Sequence, residues 1–505
     1  MPVNQGQDNP VLTATPSPIP PLIENLREFF ASKEIDVFLV GGAVRDALVG
    51  RTTKDIDVTV GADVQVVGPE LASVLNGRFV PLDPAGETVR IVVRRDTEES
   101  LVDLSAMPRG IEEDLARRDF TLDALAVPLH RAAPRMAWHR HVIDPHGGLN
   151  DLDAGVVRAL SPEVFRRDPV RLLRAPRLAV QLGLRIEDNT VHQIRQDAHL
   201  VSTIAGERLR DEFLKLLAEP TATVSLRLLD ELGLLTQVVP ELNEARGVTQ
   251  PKEHYWDVFG HLIETASQVE RVLTGPPEEN GYVVESIPRF ASFGEHFAEK
   301  VTDGHSRATL LKLAGLLHDI AKPATKTVET SGRIRFLGHN VQGAEMAGIV
   351  LQRLRLSGRG TELVRLMLEN HLRPSQMAQK GELPTGRAIY RYYRDLEDAA
   401  IDTLYLNMAD YLAARGPMLG REEWYNHCRV IGHILNEGLR EKAPEALPKL
   451  ISGHDIIKAF SVSPGPEVGE LLNVVREAQA GGEISTKEEA LELVKNRLYS
   501  GGGGA

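Results

Sequence analysis

Two glycines after an apolar run, with two carboxylates close behind them, form the feature that most constrains the fold of this chain. Residues 38–40 read FLV and predict a buried strand. Gly41 and Gly42 follow, and they let the backbone approach a ligand closely. Arg45 stands in the first turn of the helix predicted next, whose amide groups favour anions. The segment therefore predicts a strand, a phosphate-binding turn and a helix.

The second half of the feature is the pair Asp55 and Asp57. Both lie in the run 55–60, which is rich in isoleucine and valine, and residues two apart on a strand project from one face. Two hard oxygen donors on one face suit two magnesium ions. A glycine pair alone is usually a turn, and an Asp-x-Asp pair alone is usually solvated surface. Together, at this spacing, they indicate a triphosphate seat beside a metal site, which is the chemistry of nucleotidyl transfer.

The arrangement resembles the first motif of the nucleotidyltransferase superfamily branch that contains CCA-adding tRNA nucleotidyltransferases and bacterial poly(A) polymerases. The resemblance implies an α/β nucleotidyltransferase head, a mixed sheet with helices, followed by an all-α neck. It implies that Gly41, Gly42 and Arg45 bind the nucleotide. Asp55 and Asp57 are then the catalytic carboxylates that hold Mg²⁺. The expected substrates are CTP and ATP, and the expected partner is tRNA or another RNA 3′ end.

Residues 112–127 resemble the family's second motif. In that motif an arginine and an aspartate hold the triphosphate and the ribose of the nucleotide, and they correspond to Arg118 and Asp119 here. The sequence predicts that both precede an apolar helical run, with Thr121 placed to help cap it. The family usually has asparagine where this chain has Asp123.

A third match lies in residues 165–184, which predict a helix with Asp168, Arg171 and Arg174 aligned at spacings of three. The resemblance implies that Asp168 and Arg171 form a protein template that selects bases. An aspartate can accept from the exocyclic amine of cytosine or adenine while an arginine donates to the ring nitrogen. Arg174 is expected to bind nucleotide beside them. Arg167 stands where the family has an acidic residue, and an ordinary surface ion pair is the alternative.

Asp103, on the strand predicted before the second motif, supplies a third carboxylate where the family has an acidic residue near the metals. We expect it to support catalysis, and a solvent-facing strand residue is the alternative. Only residues 105–111 connect this strand to the second motif. In CCA-adding enzymes a flexible loop at this place serves the final adenosine step, so the short connection leaves a CC-adding enzyme open. A poly(A) polymerase is the other alternative.

A second constellation follows residue 250 and consists of histidines and aspartates in helical patterns. A single histidine of this kind is more often a core residue. The ordered set resembles that of an HD phosphohydrolase domain, with His261, His318, Asp319 and Asp410 as metal ligands and His339 and His371 as the extra histidines of two-metal sites. The expected metal is a divalent transition metal or Mg²⁺. Water bound to such a metal is a hydroxide source suited to attack on phosphate esters.

These landmarks divide the chain into five parts. The predicted strands of the α/β head are residues 37–40, 56–60, 89–93, 101–104 and 124–129. The predicted parts are a disordered tail (1–21), the catalytic head (22–155), a helical neck with base-selecting and RNA-binding helices (156–250), an all-α HD domain (251–415) and a helical C-terminal region with a flexible glycine tail (416–505).

Composition restricts the setting. The 505 residues are 42% apolar and can bury two or three cores, and Cys428 is the single cysteine, which suits a reducing cytoplasm. No apolar run of 18 residues and no signal segment is present, so we expect no membrane association. A net charge of −13 argues against broad nucleic-acid binding, so contacts with RNA must be local.

Two hypotheses follow. In the first, the head adds C and/or A to tRNA 3′ ends by two-metal chemistry, and the HD domain is a phosphohydrolase. In the second, the HD phosphohydrolase is the working unit and the head is a nucleotide-binding sensor.

Overall fold

The computed structural model describes residues 21–53, 55–82, 86–95, 98–132, 138–274, 281–378, 382–441 and 449–499. The tail predicted before Pro21, Lys54 and the closing glycine run lie outside these residues. Internal contacts divide the chain into two units, Met1–Ile204 with Glu231–Gln237 and Ala205–Asp230 with Val238–Ala505. The predicted neck is thus shared between the two units, and its predicted boundaries remain predictions.

The first unit is built on a six-stranded mixed sheet of order β3-β4-β5-β2-β1-β6. Its strands are β1 Val37–Val40, β2 Asp55–Val60, β3 Arg78–Pro81, β4 Thr88–Arg95, β5 Glu98–Ala106 and β6 Ala126–Pro128. Strands β2 and β5 are parallel, and every other pairing in this sheet is antiparallel. Apolar residues along the inner strands, such as Val58, Ile91 and Val102, are buried. The predicted α/β head with a mixed sheet is confirmed.

Helices and a short two-stranded sheet complete the first unit. They are α1 Pro21–Phe30, α2 Gly42–Leu48, α3 Val64–Val74, α4 Ile111–Ala116, α5 Gly148–Asp153, α6 Val164–Arg167, α7 Arg171–Leu182 and α8 Asp188–Asp197, with β7 Val156–Val157 parallel to β8 Arg185–Ile186. Strand β3 was not among the predicted strands.

The helical run predicted after the second motif is wrong, whereas the strand predicted at residues 124–129 is confirmed by β6 Ala126–Pro128. Residues Thr121–Asp123 form a single 3-10 turn, and the chain then enters β6, whose Ala126 pairs with Val40 of β1. The apolar residues of this run are fully buried although β6 is an edge strand, whereas an amphipathic helix would expose one face. The Thr121 hydroxyl does not cap a helix; it donates to Asp151 Oδ2 at 2.6 Å.

The second unit is helical, as predicted for the neck and HD domain. Its helices as far as residue 415 are α9 Gly206–Ala218, α10 Ala222–Glu231, α12 Val258–Thr274, α13 Gly281–Glu285, α14 Phe293–Ala298, α15 Arg307–Leu317, α16 Lys322–Thr325, α17 His339–Arg353, α18 Gly358–Asn370, α19 Arg373–Met377, α20 Gly386–Leu396 and α21 Ala400–Arg415. Helix α11 Leu235–Val238 belongs to the first unit except for its last residue. Two short hairpins interrupt them, β9 Lys300–Thr302 with β10 His305–Ser306 and β11 Lys326–Val328 with β12 Ile334–Phe336. Helix α12 packs against both α15 and α21.

The last helices, which follow residue 415, are α22 Arg421–Glu441, α23 Gly453–Phe460, α24 Pro466–Ala480 and α25 Lys487–Tyr499. The final three enclose a small core that includes Ile456, Leu471 and Val494. Helix α24 also packs on α20, where Arg391 Nη2 lies 2.7 Å from Glu477 Oε2. None of the helices in the described part of the chain has the length and apolarity that crossing a bilayer requires.

Candidate active sites

Gly41 lies in the phosphate-binding turn predicted at the end of β1, which is called the cradle below. Its φ of 65° lies in the region that side chains disfavour, and its N–H donates to Leu125 O at 3.0 Å. A Cβ added to Gly41 would lie 2.5 Å from Arg118 Nη1 and 3.4 Å from Asp57 Oδ2. Two features therefore require glycine at position 41: the backbone conformation and the close approach of Arg118.

Three carboxylates meet beside the cradle. In the parallel pairing of β2 with β5, Asp57 is in register with Asp103, so the two side chains lie on one face of the sheet. Asp55 lies on the same face, two residues before Asp57. Burial raises the pKa of Asp57 to about 6; the charge of Arg118 opposes the rise, and repulsion from Asp103, Asp123 and Asp55 adds to it. Such a cluster of hard oxygen donors favours bound cations, and the donor set fits magnesium.

Asp103 has a close partner on β4. Arg90 Nε lies 2.7 Å from Asp103 Oδ1, and Arg90 Nη2 lies 2.8 Å from Oδ2. The Asp103 side chain is thus paired and 23% exposed, and its support of catalysis stays a prediction. A bidentate guanidinium fixes the orientation of this carboxylate beside Asp57.

Arg45 lies beneath the cradle and is buried. Its Nε donates to Asp46 Oδ1 at 2.8 Å, and its Nη1 donates to Asp123 Oδ1. Burial lowers the pKa of Arg45, but Asp123 and Asp46 outweigh burial and raise it overall. The structure thus places Arg45 in an internal ion-pair network, whereas the sequence predicted an arginine open to the triphosphate. Arg118 is the arginine that lines the cradle.

The second motif is tied to α7. Asp119 is buried; its Oδ1 accepts from the Phe120 N–H at 3.0 Å, and its Oδ2 accepts from Arg174 Nη1 at 2.8 Å. Burial opposes ionisation of Asp119, but the charge and hydrogen bond of Arg174 outweigh it and lower the pKa of Asp119. Arg118, also in this motif, bonds Asp114 at 3.1 Å. Arg174 holds Asp119 in place, and its predicted contact with nucleotide stays a prediction.

The predicted template pair is close but not on one helix. Asp168 is extended, with φ −149° and ψ 96°, and α7 begins only at Arg171. The helical alignment predicted for Asp168 is wrong because Pro169 follows it, and a residue before proline avoids the helical region. Arg171 Nε nevertheless lies 4.0 Å from Asp168 Oδ2. The Arg171 guanidinium also donates weakly to Val164 O, at 3.4 Å.

The second constellation assembles in the helical unit. His261 on α12, His318 and Asp319 after α15, and Asp410 on α21 bring their ligand atoms within 4.8 Å of one another. His261 Nε2 lies 3.2 Å from His318 Nε2 and 3.1 Å from Asp410 Oδ1. Asp319 Oδ2 lies 3.0 Å from His318 Nε2. Every predicted ligand of the first HD metal is therefore in one place.

Asp319 also reaches a second group. Its Oδ1 lies 3.2 Å from His339 Nε2 and 3.7 Å from His371 Nε2. Within the described ranges, Asp319 Oδ1 and His339 Nε2 are buried without a hydrogen-bond partner. Buried polar atoms without partners are costly, so this carboxylate fits a bridge between two metal positions.

The imidazoles are oriented for metal binding by backbone carbonyls. Nδ1 faces a carbonyl oxygen at 2.9 Å in His318, 2.6 Å in His339 and 2.6 Å in His371. Because a carbonyl only accepts, Nδ1 carries a proton in each ring, so Nε2 is the nitrogen that binds a metal when the ring is neutral. The donor chemistry fits a divalent metal.

The charge balance of this centre also calls for a cation. Burial opposes protonation of His318, but Asp319 and Asp410 outweigh it and raise the pKa of His318 to about 10. Burial, followed by the positive charge of His318, lowers the pKa of His371 to about 4. Lys322 Nζ lies 2.6 Å from Asp319 Oδ2. Without a metal, the negative charges of Asp319 and Asp410 are thus balanced by protonated His318 and by Lys322.

Several site neighbours were not predicted from the sequence. Arg90, Asp114 and Asp123 had no assigned partner. The pairing of Asp123 with Arg45 joins segments far apart in the chain, and that of Arg90 with Asp103 joins two strands, whereas Asp114 pairs with Arg118 only four residues away. His254 lies with its ring 5.3 Å from that of His261, and burial together with Lys322 lowers the pKa of His254 to about 3. Only the position of His254 shortly before the first HD ligand could have signalled it.

Four family models match the chain. They are "Poly A polymerase head domain" at residues 37–158, "Probable RNA and SrmB- binding site of polymerase A" at 183–246, "HD domain" at 289–415 and "tRNA nucleotidyltransferase domain 2 putative" at 446–494. The last match covers a region to which the sequence patterns assigned nothing. The HD match starts after His261, although that residue lies among the HD ligands in the structure.

Known proteins resemble the chain over most of its length. The A-adding tRNA nucleotidyltransferase of Deinococcus radiodurans is 32% identical and covers 90% of this chain and 94% of its own. The CC-adding tRNA nucleotidyltransferase of Thermus thermophilus is 32% identical over 93% of this chain and 94% of its own. The CCA-adding enzyme of Thermotoga maritima complexed with tRNA has the same fold, with a TM-score of 0.57, 22% identity and coverage of 94% of this chain and 95% of its own.

The fold and the two sites define a nucleotidyltransferase head joined to an HD-type helical domain. Both of these families are metal-dependent, and the described residues of the helical unit include two candidate metal-ligand groups. The chain belongs to the tRNA nucleotidyltransferase family.

Proposed function

We propose that this protein extends tRNA 3′ ends with C and/or A, using CTP and ATP. The observation that carries the proposal is the cradle at Gly41, where Arg118 and Asp57 approach the same turn of backbone and Asp103 lies in register with Asp57. A triphosphate on the arginine side then lies beside carboxylates suited to magnesium. The relatives named above act on tRNA, and a solved neighbour of the same fold is a CCA-adding enzyme in complex with CTP.

Asp55 and Asp57 would hold the magnesium ions, and Asp103 would be kept in place by Arg90. Bound magnesium there stabilises charge on the attacking and leaving oxygens of phosphoryl transfer. Arg118 offsets charge on the phosphates, because it is the arginine at the cradle. Asp119, fixed by Arg174, would hold the ribose.

Base choice is assigned to Asp168 and Arg171. Their side chains lie side by side at 4.0 Å, a carboxylate acceptor next to a guanidinium donor. That pair matches the amine donor and ring-nitrogen acceptor shared by cytosine and adenine. Uracil and guanine present the reverse pattern.

Addition of CC alone is the second candidate function. The connection between β5 and α4 consists of residues 107–110, even shorter than the sequence suggested. Incubation with tRNA lacking its 3′ end and with CTP or ATP separately, followed by a sequencing gel, distinguishes the candidates. Extension by two residues with CTP and none with ATP after CC supports CC addition. Extension of tRNA-CC by ATP supports A addition, and long adenosine tails on unrelated RNA would indicate a poly(A) polymerase.

The helical unit is proposed to be a metal-dependent phosphohydrolase. His261, His318, Asp319 and Asp410 would hold one metal, and His339 and His371 would complete a second position shared through Asp319. A bound metal supplies a hydroxide source near neutral pH. Lys322 keeps Asp319 oriented. A cytoplasmic setting fits both activities, because tRNA is processed there.

The sensor hypothesis for the head is tested by Asp55→Asn. Asp55 is exposed on β2, so this near-isosteric change removes one carboxylate charge without opening the core. We expect incorporation of CMP into tRNA to be lost while phosphate release from a nucleoside monophosphate persists. Undiminished incorporation would favour the hypothesis in which the head only binds nucleotide.

A further inference from the structure

The segment that leads into α12, residues 248–257, lies against the HD centre. The ring of His254 packs edge-on against the ring of the proposed ligand His261, with 5.3 Å between the ring centroids. The Tyr255 N–H donates at 2.8 Å to a carbonyl oxygen of α21, the helix that carries another proposed ligand. The segment precedes residues 289–415, which match the HD family model, so the match assigns no role to its side chains.

Gln250, in this segment, binds the lysine that pairs with Asp319. Lys322 Nζ donates to Gln250 Oε1 at 2.7 Å and lies 2.6 Å from Asp319 Oδ2. The other end of the amide is also held, because Gln250 Nε2 donates to Trp256 O at 3.3 Å. Lys322 is only 5% exposed, so these two oxygens replace most of the water that an ammonium group would otherwise bind.

The orientation of Asp319 matters to both metal positions. Its Oδ2 lies 3.0 Å from His318 Nε2, and its Oδ1 lies 3.2 Å from His339 Nε2. A rotation of this carboxylate would therefore disturb both groups of ligands at once. Lys322 pairs with Asp319 without being a proposed ligand, so it can hold the carboxylate whether or not a metal is bound.

We propose that Gln250 is a positioning residue of the HD centre: by holding Lys322 it keeps Asp319 oriented towards both metal positions. The inference rests on the metal-dependent function proposed above for the helical unit. Gln250 acts through another side chain, since its hydrogen bonds are with Lys322 and the Trp256 carbonyl. Residues that orient a metal ligand in this way commonly contribute about tenfold to hundredfold in metal affinity or activity.

The test is Gln250→Met, in which an unbranched side chain of similar length loses the acceptor for Lys322. Binding of Mn²⁺ is measured by equilibrium dialysis in chains that also carry Asp57→Asn, so that the head has one carboxylate fewer. The same measurement on His318→Ala gives the binding that remains outside the HD centre. We expect Gln250→Met to raise the Kd of the HD centre for Mn²⁺ by about tenfold or more. Thermal unfolding in EDTA shows whether each chain is folded.

Two further variants separate positioning from general damage. Gln250→Glu keeps an oxygen acceptor for Lys322 and adds a negative charge, so it should bind Mn²⁺ at least as tightly as the chain with Gln250. Thr249→Val is the matched control, because Thr249 Oγ1 accepts from Lys326 Nζ at 2.8 Å, an equivalent hydrogen bond one residue away to a lysine of β11. It should leave the Kd unchanged. If Gln250→Met cannot be purified, Gln250→Ala admits water to the ammonium and carries the same expectation.

Lys322→Met tests whether Gln250 acts through the lysine. Whatever Lys322→Met does alone, adding Gln250→Met should not change the Kd for Mn²⁺ further, because the side chain that Gln250 holds is then absent. The double variant also leaves no ammonium without a partner, so it should fold. An equal effect of Gln250→Met with and without Lys322 would overturn the proposed route.

A folded Gln250→Met chain that binds Mn²⁺ as tightly as the chain with Gln250 also overturns the proposal. So does an equal loss of affinity in Gln250→Glu or Thr249→Val. Failure of the proposed metal-dependent function has a different signature: the chain with Gln250 would then bind no more Mn²⁺ than His318→Ala does.

Discussion

At the scale of one residue, Asp57 shows that a carboxylate of the site lowers the stability of the fold. Its pKa in the folded protein, about 6, is above its ordinary value of 3.8 because of burial and neighbouring carboxylates. A raised carboxyl pKa means that stability present at low pH is lost as the pH rises from about 4 through about 6. At about 1.4 kcal/mol for each pKa unit, the ionised carboxylate costs about 3 kcal/mol at neutral pH when no metal is bound.

We therefore predict that Asp57→Asn stabilises the protein while removing nucleotide incorporation. In EDTA at pH 7 the free energy of unfolding should increase by about 1–3 kcal/mol, and the gain should vanish at about pH 3, where the aspartate is protonated in both states. Urea denaturation at the two pH values measures this. A loss of stability at pH 7 would show that Asp57 is better accommodated as an anion than its surroundings indicate.

Gly41→Ala addresses the cradle directly. The new methyl group would meet Arg118 Nη1 at 2.5 Å and would hold alanine at φ 65°, so the arginine must move away from the phosphates. We expect incorporation to fall by at least about tenfold, with a stability loss of about 1–3 kcal/mol from backbone strain, which the same change at Gly183 shares. Gly183→Ala is the control, since Gly183 has φ 68° and nothing within 4 Å of the added Cβ. Equal loss of incorporation in both variants would mean that backbone strain, not displacement of Arg118, is responsible.

At the scale of elements, local patterns predicted what is local. The apolar runs correctly predicted β1, β2 and the inner part of β5. The leucine-rich pattern correctly predicted the helix α9 Gly206–Ala218. The turn after Thr121 was missed because full burial removes the periodicity that separates strand from helix. Pairings such as Arg45 with Asp123 and Arg174 with Asp119 join separate motifs, so they depend on the tertiary fold and no spacing reveals them.

The break between α6 and α7 determines how Asp168 is presented. If Asp168 and Arg171 form the template, Asp168→Ala removes the acceptor for the exocyclic amine and relaxes selection against UTP and GTP by about 1–3 kcal/mol, roughly tenfold to two hundredfold. Binding of the triphosphate should change far less, because other residues hold the phosphates. Incorporation of the four nucleotides by both proteins measures the ratios. Unchanged ratios would make Asp168 an ordinary partner of Arg171 and leave the assignment of the head to Asp55 and Asp57.

At the scale of the whole molecule, two metal-type centres occur in separate compact units with different donors. The head offers carboxylate oxygens alone, which suit magnesium, and the helical unit combines imidazoles with carboxylates, which also suit first-row transition metals. The sequence could place each ligand set because each ligand lies in its own recognisable motif. It could not show that Asp319 faces both histidine groups, since that depends on the packing of α12, α15, α18 and α21.

The two centres should be separable by mutation. His318→Ala removes an imidazole that lies 3.0 Å from Asp319 and 3.2 Å from His261, so phosphate release by the helical unit should be lost. Extension of tRNA by CTP should persist, because every residue assigned to that reaction lies in the other unit. Asp55→Asn should show the reverse pattern, so each variant serves as the control for the other. Thermal unfolding accompanies both assays, since His318 is fully buried and its truncation leaves a cavity. Loss of both activities in a variant that unfolds at the usual temperature would mean that the centres act as one, and the assignment of two independent reactions would have to be abandoned.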